Sequence, residues 1–331
     1  MIKGLQFAGA TFTLALLAAI GVAPMQAAVE GHFERTLTVN GPVDLDVTTG
    51  SGNITIHPGD ASKVEIHASI RVGDNWRGDD KDAESRVQYI EQHPPLEQSG
   101  NTITIGHVED HDLMRNISIS YDIVTPAQTR LHSTTGSGNQ TVQGLAGPAE
   151  SSTGSGDVRV NEIGADVTAH TGSGGITISE VKGALRATSG SGDIHADQIA
   201  GAITASTGSG DVRLTQSGAG DVEVSTGSGT VQVNGVNGAV QIGTGSGNIT
   251  AEGTPTRNWR LHTGSGDLTV QLPQQTSFEL YAHTSSGSIE SKFPITMEGM
   301  ISTRELHGKV GAGGPVVDLR TSSGTIHIDS K

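Results

Sequence analysis

The side chains in this sequence with chemistry to offer arrive in one repeated phrase: a hydroxyl, a serine between two glycines, and then, in most copies, an acid or an amide. It reads Thr135-Gly-Ser-Gly-Asn139, Thr153-Gly-Ser-Gly-Asp157, Thr171-Gly-Ser-Gly-Gly175, Ser189-Gly-Ser-Gly-Asp193 and Thr207-Gly-Ser-Gly-Asp211. Three more copies are Thr226-Gly-Ser-Gly-Thr230, Thr244-Gly-Ser-Gly-Asn248 and Thr263-Gly-Ser-Gly-Asp267. Calcium is the first chemistry to weigh. Nonapeptide calcium solenoids need Gly-Gly-x-Gly-x-Asp at every half-coil, so that successive turns cage each ion. Here there is one candidate turn per coil, the acid follows glycine directly, and Gly175, Thr230 and Asn248 hold its place in other copies. Only Asp193 and Asp211 are acidic neighbours, which does not make a calcium array.

Other reaction chemistry is weaker still. A carboxylate pair such as Asp193 and Asp211 is reminiscent of a glycosidase, yet in a ladder both read as turn residues. A Gly-x-Ser-x-Gly nucleophile elbow needs a strand, a turn and a helix, whereas these phrases lie between strands. No Gly-Lys-Ser or Gly-Lys-Thr phosphate loop occurs. His262 and His283 precede adjacent phrases and are expected on neighbouring rungs, with His170 in the equivalent place several coils away. Without a third ligand they make no zinc site. His107 and His111, near Glu109, Asp110 and Asp112, are the densest mixed cluster and read as a hydrated loop. Polysaccharide-cleaving β-helices use aromatic clefts, and here the tryptophans and tyrosines are only Trp76, Trp259, Tyr89, Tyr121 and Tyr281. No catalytic, cofactor-binding or metal-ligating residue is therefore assigned, and the chain is read as a non-enzyme. A regular threonine and serine face suits a repetitive ligand such as a glycan better than it suits catalysis.

What must position these residues is a repeat. The phrases begin at 135, 153, 171, 189, 207, 226, 244 and 263, in steps of 18 or 19 residues. Such a period means one small unit stacked on copies of itself. Asp157-Val-Arg-Val160 and Asp211-Val-Arg-Leu214 alternate after the phrase, and Leu185-Arg-Ala187 and Ile203-Thr-Ala205 alternate before it. Alternation at period two marks strands with one buried face. A second glycine (Gly147, Gly183, Gly201, Gly220, Gly238) falls six residues before each following phrase. Each repeat is thus strand, Gly-Ser-Gly turn, strand, glycine turn. Stacked about 4.8 Å apart, such coils form a parallel β-solenoid. Its narrow interior is expected to hold Val, Ile, Leu and Ala with hardly an aromatic, and its serines and threonines to stack as hydroxyl ladders.

Composition agrees. Forty-seven glycines on a fixed schedule, with 3% aromatic residues, suit a repeat fold rather than a linker. A net charge of −15 disfavours nucleic acid and anionic membrane surfaces as partners. Residues 1–28, with Lys3 ahead of an apolar run from Phe12 to Val22 and small residues at Ala27-Ala28, read as a signal peptide. The mature chain is then expected to be exported, periplasmic or secreted, with no membrane span. Residues 29–130 read as an N-terminal cap with first strands, including the early phrase Thr49-Gly-Ser-Gly-Asn53. Inside it, residues 74–97 form a helical insertion, with the helix itself near Asp79 to Ile90, placed to cover the open end. Residues 131–331 read as the solenoid and its C-terminal cap. There Thr284-Ser-Ser-Gly-Ser288 and Thr321-Ser-Ser-Gly-Thr325 lie 37 residues apart, about two coils, around a loop from Phe293 to Gly314.

The run Ile119-Ser-Tyr-Asp-Ile-Val-Thr-Pro126, the repeated phrases, and the closing Phe293-Pro294, Gly311-Ala-Gly-Gly314 and Leu319-Arg-Thr-Ser-Ser-Gly-Thr-Ile326 resemble the bacterial putative-adhesin family of unknown function. That family consists of glycine- and serine-rich β-solenoid domains on exported or membrane-attached proteins. The resemblance implies a β-solenoid without established catalysis. The expected function is a non-enzymatic exported adhesin-like module, binding or scaffolding at the cell envelope through an envelope protein or glycan. The alternatives are an envelope-stress regulator acting through a protein partner and, behind it, a polysaccharide-acting β-helix enzyme.

Overall fold

The computed structural model describes residues 29–73, 80–108, 110, 112–297 and 302–331. The expected leader, residues 74–79 of the helical insertion, Trp76, Glu109 and His111 lie outside the described residues. Among those described, the chain is all-β apart from one helix, Asp80–Gln92. The strands join in one long, mostly parallel sheet that coils on itself as a solenoid and stays open rather than closing into a barrel.

Each coil contributes a strand to two faces. On the first face Ala149–Thr153, Val167–Thr171, Leu185–Ser189 and Ile203–Ser209 run parallel, with Thr153 opposite Thr171 and Ser189 opposite Thr207. On the second face Val158, Ile176, Ile194 and Val212 stand on successive rungs. The 18-residue step is therefore one rung. Inward residues such as Val158, Val160, Ile176 and Ile178 are buried, as alternation requires.

The second strand then departs from simple alternation. Glu162, Glu180 and Gln198 adopt left-handed backbones, with φ of 58°, 56° and 56°. This turn brings the buried Ile163, Val181 and Ile199 back to the interior. The coil thus has a third, short inward side where two strands and two turns were expected. The same place in flanking coils is taken by Gly144 and Gly235, with φ of 72° and 73°, which avoid a cost of about 1 kcal/mol per residue. Glycine in the phrase serves a different need. A Cβ on Gly192 would lie 1.9 Å from the Gly174 carbonyl oxygen, so here it is the stacking distance that demands glycine.

Both ends depart from sequence order. At the start, Val43–Ser51 and Ile54–Pro58 lie directly against the rung of Thr129–Ser137 and Gln140–Gln143, with Thr49 opposite Thr135. Thr102–Ile105 and Ile117–Thr125 stack outside them. Lys63–Val72 and Glu30–Thr38 finish this end as antiparallel strands. The helix packs on Glu30–Thr38: Ala83, Val87 and Ile90 join the core, and the Glu91 carboxylate accepts the His32 N–H at 2.8 Å.

At the far end, Val316–Ser323 and Ile326–Ser330 slot between the Ile249–Ser265/Leu268–Leu272 rung and the Phe278–Ser286/Ile289–Ser291 rung. Thr284 and Thr321, expected about two coils apart, therefore stand on adjoining rungs. The expected Phe293–Gly314 loop instead contains antiparallel strands Ile295–Met297 and Glu305–Val310, the latter paired to Phe278–Ser286. The aromatic-poor interior also needs correction. Trp259, Phe278 and Phe293 are buried at this end, and Phe33 and Tyr121 at the other. The Trp259 indole N–H donates to Gly238 O at 3.0 Å, and burial pushes the Tyr121 phenol pKa above its ordinary value. Large rings fit where the regular coil gives way to caps.

Candidate functional site: the outer face at the C-terminal end

The repeated phrase is consumed by the ladder. Thr171 shares the parity of Val167 and Ala169, so its side chain turns inward and is buried. Its Oγ1 donates to Gly156 O at 2.8 Å, one coil back. Thr153 and Thr207 do the same to Gly138 O and Gly192 O, at 2.9 and 2.8 Å. The expected hydroxyl ladder is thus half right: the threonines stack, but they bond to backbone carbonyls rather than to one another. Ser155, Ser173 and Ser209, between the glycines, are exposed.

The acids also serve the neighbouring rung. Asp157 Oδ1 accepts the Gly175 N–H at 3.0 Å, Asp193 Oδ1 the Asp211 N–H at 2.8 Å, and Asp211 Oδ1 the Thr230 N–H at 2.9 Å. Asn139 and Asn248 accept with amide oxygens in the same way. One oxygen per residue is all the ladder needs, which is why an amide can stand where an acid stands in other coils. Arg213 engages the other Asp211 oxygen at 3.1 Å. Among the described residues no group of three or more His, Asp or Glu is placed to hold a metal ion.

The histidine expectation fails in an instructive way. His262 and His283 are not on neighbouring rungs, because the inserted strand places Arg320 between them. His170 stands between Ser152 and Thr188. In the His107 loop, Asp110 accepts the Asp112 N–H at 2.9 Å, and Asp112 pairs with Arg115.

The same insertion assembles a grid of outward side chains. Arg260 and His262 come from one strand, Asp318 and Arg320 from the next, Tyr281 and His283 from the third, and His307 and Glu305 from the antiparallel fourth. Asp318 holds the Arg320 guanidinium through Nε and Nη2, at 2.8 and 3.0 Å. That hydrogen-bonded carboxylate raises the Arg320 pKa further, so the group stays cationic throughout. The Tyr281 ring, 38% exposed, stacks on His307 with centroids 4.1 Å apart and planes 25° apart. Together with Glu305 and Arg320 they line a recess of about 280 Å³. On the same face, the middle rungs present Thr168, Arg186 and Thr204 in one column and Thr188 and Ser206 in the other.

A second concavity, about 560 Å³, follows the third side of the coil past Glu162, Glu180, Lys182 and Gln198. Sequence reasoning missed it. The available signal was an acid or amide before an apolar residue at 18-residue spacing, in Glu162-Ile163, Glu180-Val181 and Gln198-Ile199.

Comparison with known proteins adds what the chain is similar to. Three solved structures align along most of the chain. A putative cell adhesion protein from Clostridium sporogenes is 13% identical, covering 91% of this chain and 100% of its own, with a TM-score of 0.29. A putative adhesin from Bacteroides fragilis is 14% identical, with coverage of 90% and 96% and a TM-score of 0.23. One from Parabacteroides distasonis is 10% identical, with coverage of 90% and 96% and a TM-score of 0.26. No curated protein matches the chain in sequence. The family model described as Toastrack DUF4097 matches residues 166–329, which takes in the closing motifs around Phe293 and Leu319 and leaves out the run Ile119–Pro126. Over residues 166–329, from the regular rungs through the outward grid, this chain is similar to the Toastrack DUF4097 family.

Proposed function

We propose that the chain is a non-enzymatic, exported, adhesin-like module that binds or scaffolds at the cell envelope. One observation carries this reading. The residues with the best claim to chemistry, the threonines and acids of the phrase, spend their hydroxyls and carboxylate oxygens on neighbouring rungs. What remains outward is a rigid display surface, and a rigid surface is a means of recognition. The leader-like residues 1–28 support export to the periplasm or beyond. No helix among the described residues is long and apolar enough to cross a membrane. The domain reading follows: an N-terminal cap over 29–130 and a solenoid with its C-terminal cap over 131–331.

The test is fractionation of cells producing the tagged full-length chain, followed by co-purification from envelope fractions. The expected result is a processed protein outside the cytoplasm that pulls down an envelope glycan or protein. An unprocessed cytoplasmic protein would overturn the reading, as would turnover of an envelope polysaccharide by the purified chain.

A further inference from the structure

We propose that the outward grid at the C-terminal end binds an acidic polysaccharide, a polymer of pyranose rings carrying carboxylates. This deepens the adhesin-like reading and rests on it. The chain carries a net charge of −15, so its overall field repels polyanions. Against that background, Arg260 and Arg320 project from adjoining strands of one face, with His262 and His283 flanking Arg320 on either side; the acids among them are Asp318, engaged by Arg320, and Glu305 at the edge. Adjoining strands are about 4.8 Å apart, comparable with the length of a pyranose ring, so a sugar chain crossing the strands along the row of Arg320 meets His262, Arg320 and His283 in turn.

Two features select a sugar acid over a bare anion. Tyr281 is one of only two large hydrophobic side chains exposed among the described residues, and His307, stacked beside it on the adjoining strand, steadies the ring. An aromatic face of that kind covers the C–H face of a pyranose. Asp318 fixes the Arg320 fork through Nε and Nη2 and leaves Nη1 to donate to a ligand carboxylate. The other exposed tyrosine supplies an internal control. Tyr89 also stacks on a histidine, His93, at 4.6 Å, but the nearby Arg86 donates to the backbone carbonyls of Leu113 and Arg115 instead of facing outward.

The experiment measures binding of the full chain to immobilised polygalacturonate, with dextran as the neutral polymer and free galacturonic acid as competitor. The chain should bind polygalacturonate and not dextran. Tyr281→Ala and Arg320→Gln should each weaken binding about tenfold or more, the loss of one charge-assisted pair or one stacking platform. Tyr281→Phe and Tyr89→Ala should bind as the unaltered chain does, and thermal melts should show all four variants folded. If Arg320→Gln melts early because Asp318 loses its partner, the Tyr281→Ala and Tyr281→Phe pair still decides the question. The monosaccharide should compete only at far higher concentration; equal potency would overturn the assignment to a polymer. Equal binding to dextran, no binding to polygalacturonate, or an unchanged Tyr281→Ala would overturn the site. Should the chain still co-purify with envelope material while ignoring polygalacturonate, this inference falls and the adhesin-like reading stands.

Discussion

The middle of the solenoid and its C-terminal end are built from the same phrase but use it differently. In the middle, each coil touches the ones before and after it in sequence, and the interior holds small aliphatic residues. At the end, a rung from the last residues of the chain separates two rungs that would otherwise meet, and Trp259, Phe278 and Phe293 fill the interior. Regular stacking copies one side-chain environment from rung to rung. Breaking sequence order is what brings Arg260, Tyr281, His307 and Arg320 onto one small surface.

Truncation should have the largest effect on the C-terminal end. Removing residues 316–331 deletes a rung paired on both sides, so Phe278–Ser286 and Glu305–Val310 lose their support. Limited proteolysis should then cut rapidly between 273 and 310 while the coils around residues 150–220 stay protected. Protection across the whole chain would show that the inserted rung is dispensable.

Within the regular coils, Gly192→Ala should cost roughly 3 kcal/mol or more in denaturant melts, because its Cβ meets backbone rather than a movable side chain. Gly243→Ala, with nothing within 4 Å of the added carbon, is the matched control and should be close to neutral. A smaller loss is expected for Thr171→Val, which keeps the shape and removes the hydrogen bond to Gly156 O. About 1 kcal/mol is the usual scale for such a change, and an unaltered midpoint would mean that the buried hydroxyls contribute nothing. The smallest effect should have the opposite sign. Glu162→Gly relieves a left-handed residue and should stabilise by up to about 1 kcal/mol, offset in part by the greater freedom of glycine when unfolded.

These contrasts bear on what could be read from the sequence. The 18-residue beat was enough for the rungs, since alternation and glycine spacing are local and every regular coil repeats them. The inward threonine was legible as well: Leu131, Ser133 and Thr135 share one parity, so whatever buries the leucine buries the threonine. The left-handed turn at Glu162, Glu180 and Gln198 was hidden because a search for turns follows glycine, and glycine sits there only in flanking coils such as those of Gly144 and Gly235. Rung order at the ends was hidden for a deeper reason. Thr284 and Thr321 carry the same phrase, and nothing local says whether 37 residues hold two coils or one coil and a hairpin. The candidate site inherits that blindness, because Arg320 acquires its histidine neighbours only through the insertion.

The threading of the C-terminal rung has a consequence for how the molecule is made. A ladder of this type invites assembly from one end as each coil emerges, like a zip following the ribosome. That order fails at residue 278. The strand Phe278–Ser286 has no parallel partner until Val316–Ser323, some thirty residues later, has arrived. The final coils must therefore wait, unclosed, until Val316–Ser323 has emerged, so the ladder cannot close in the order in which it is made.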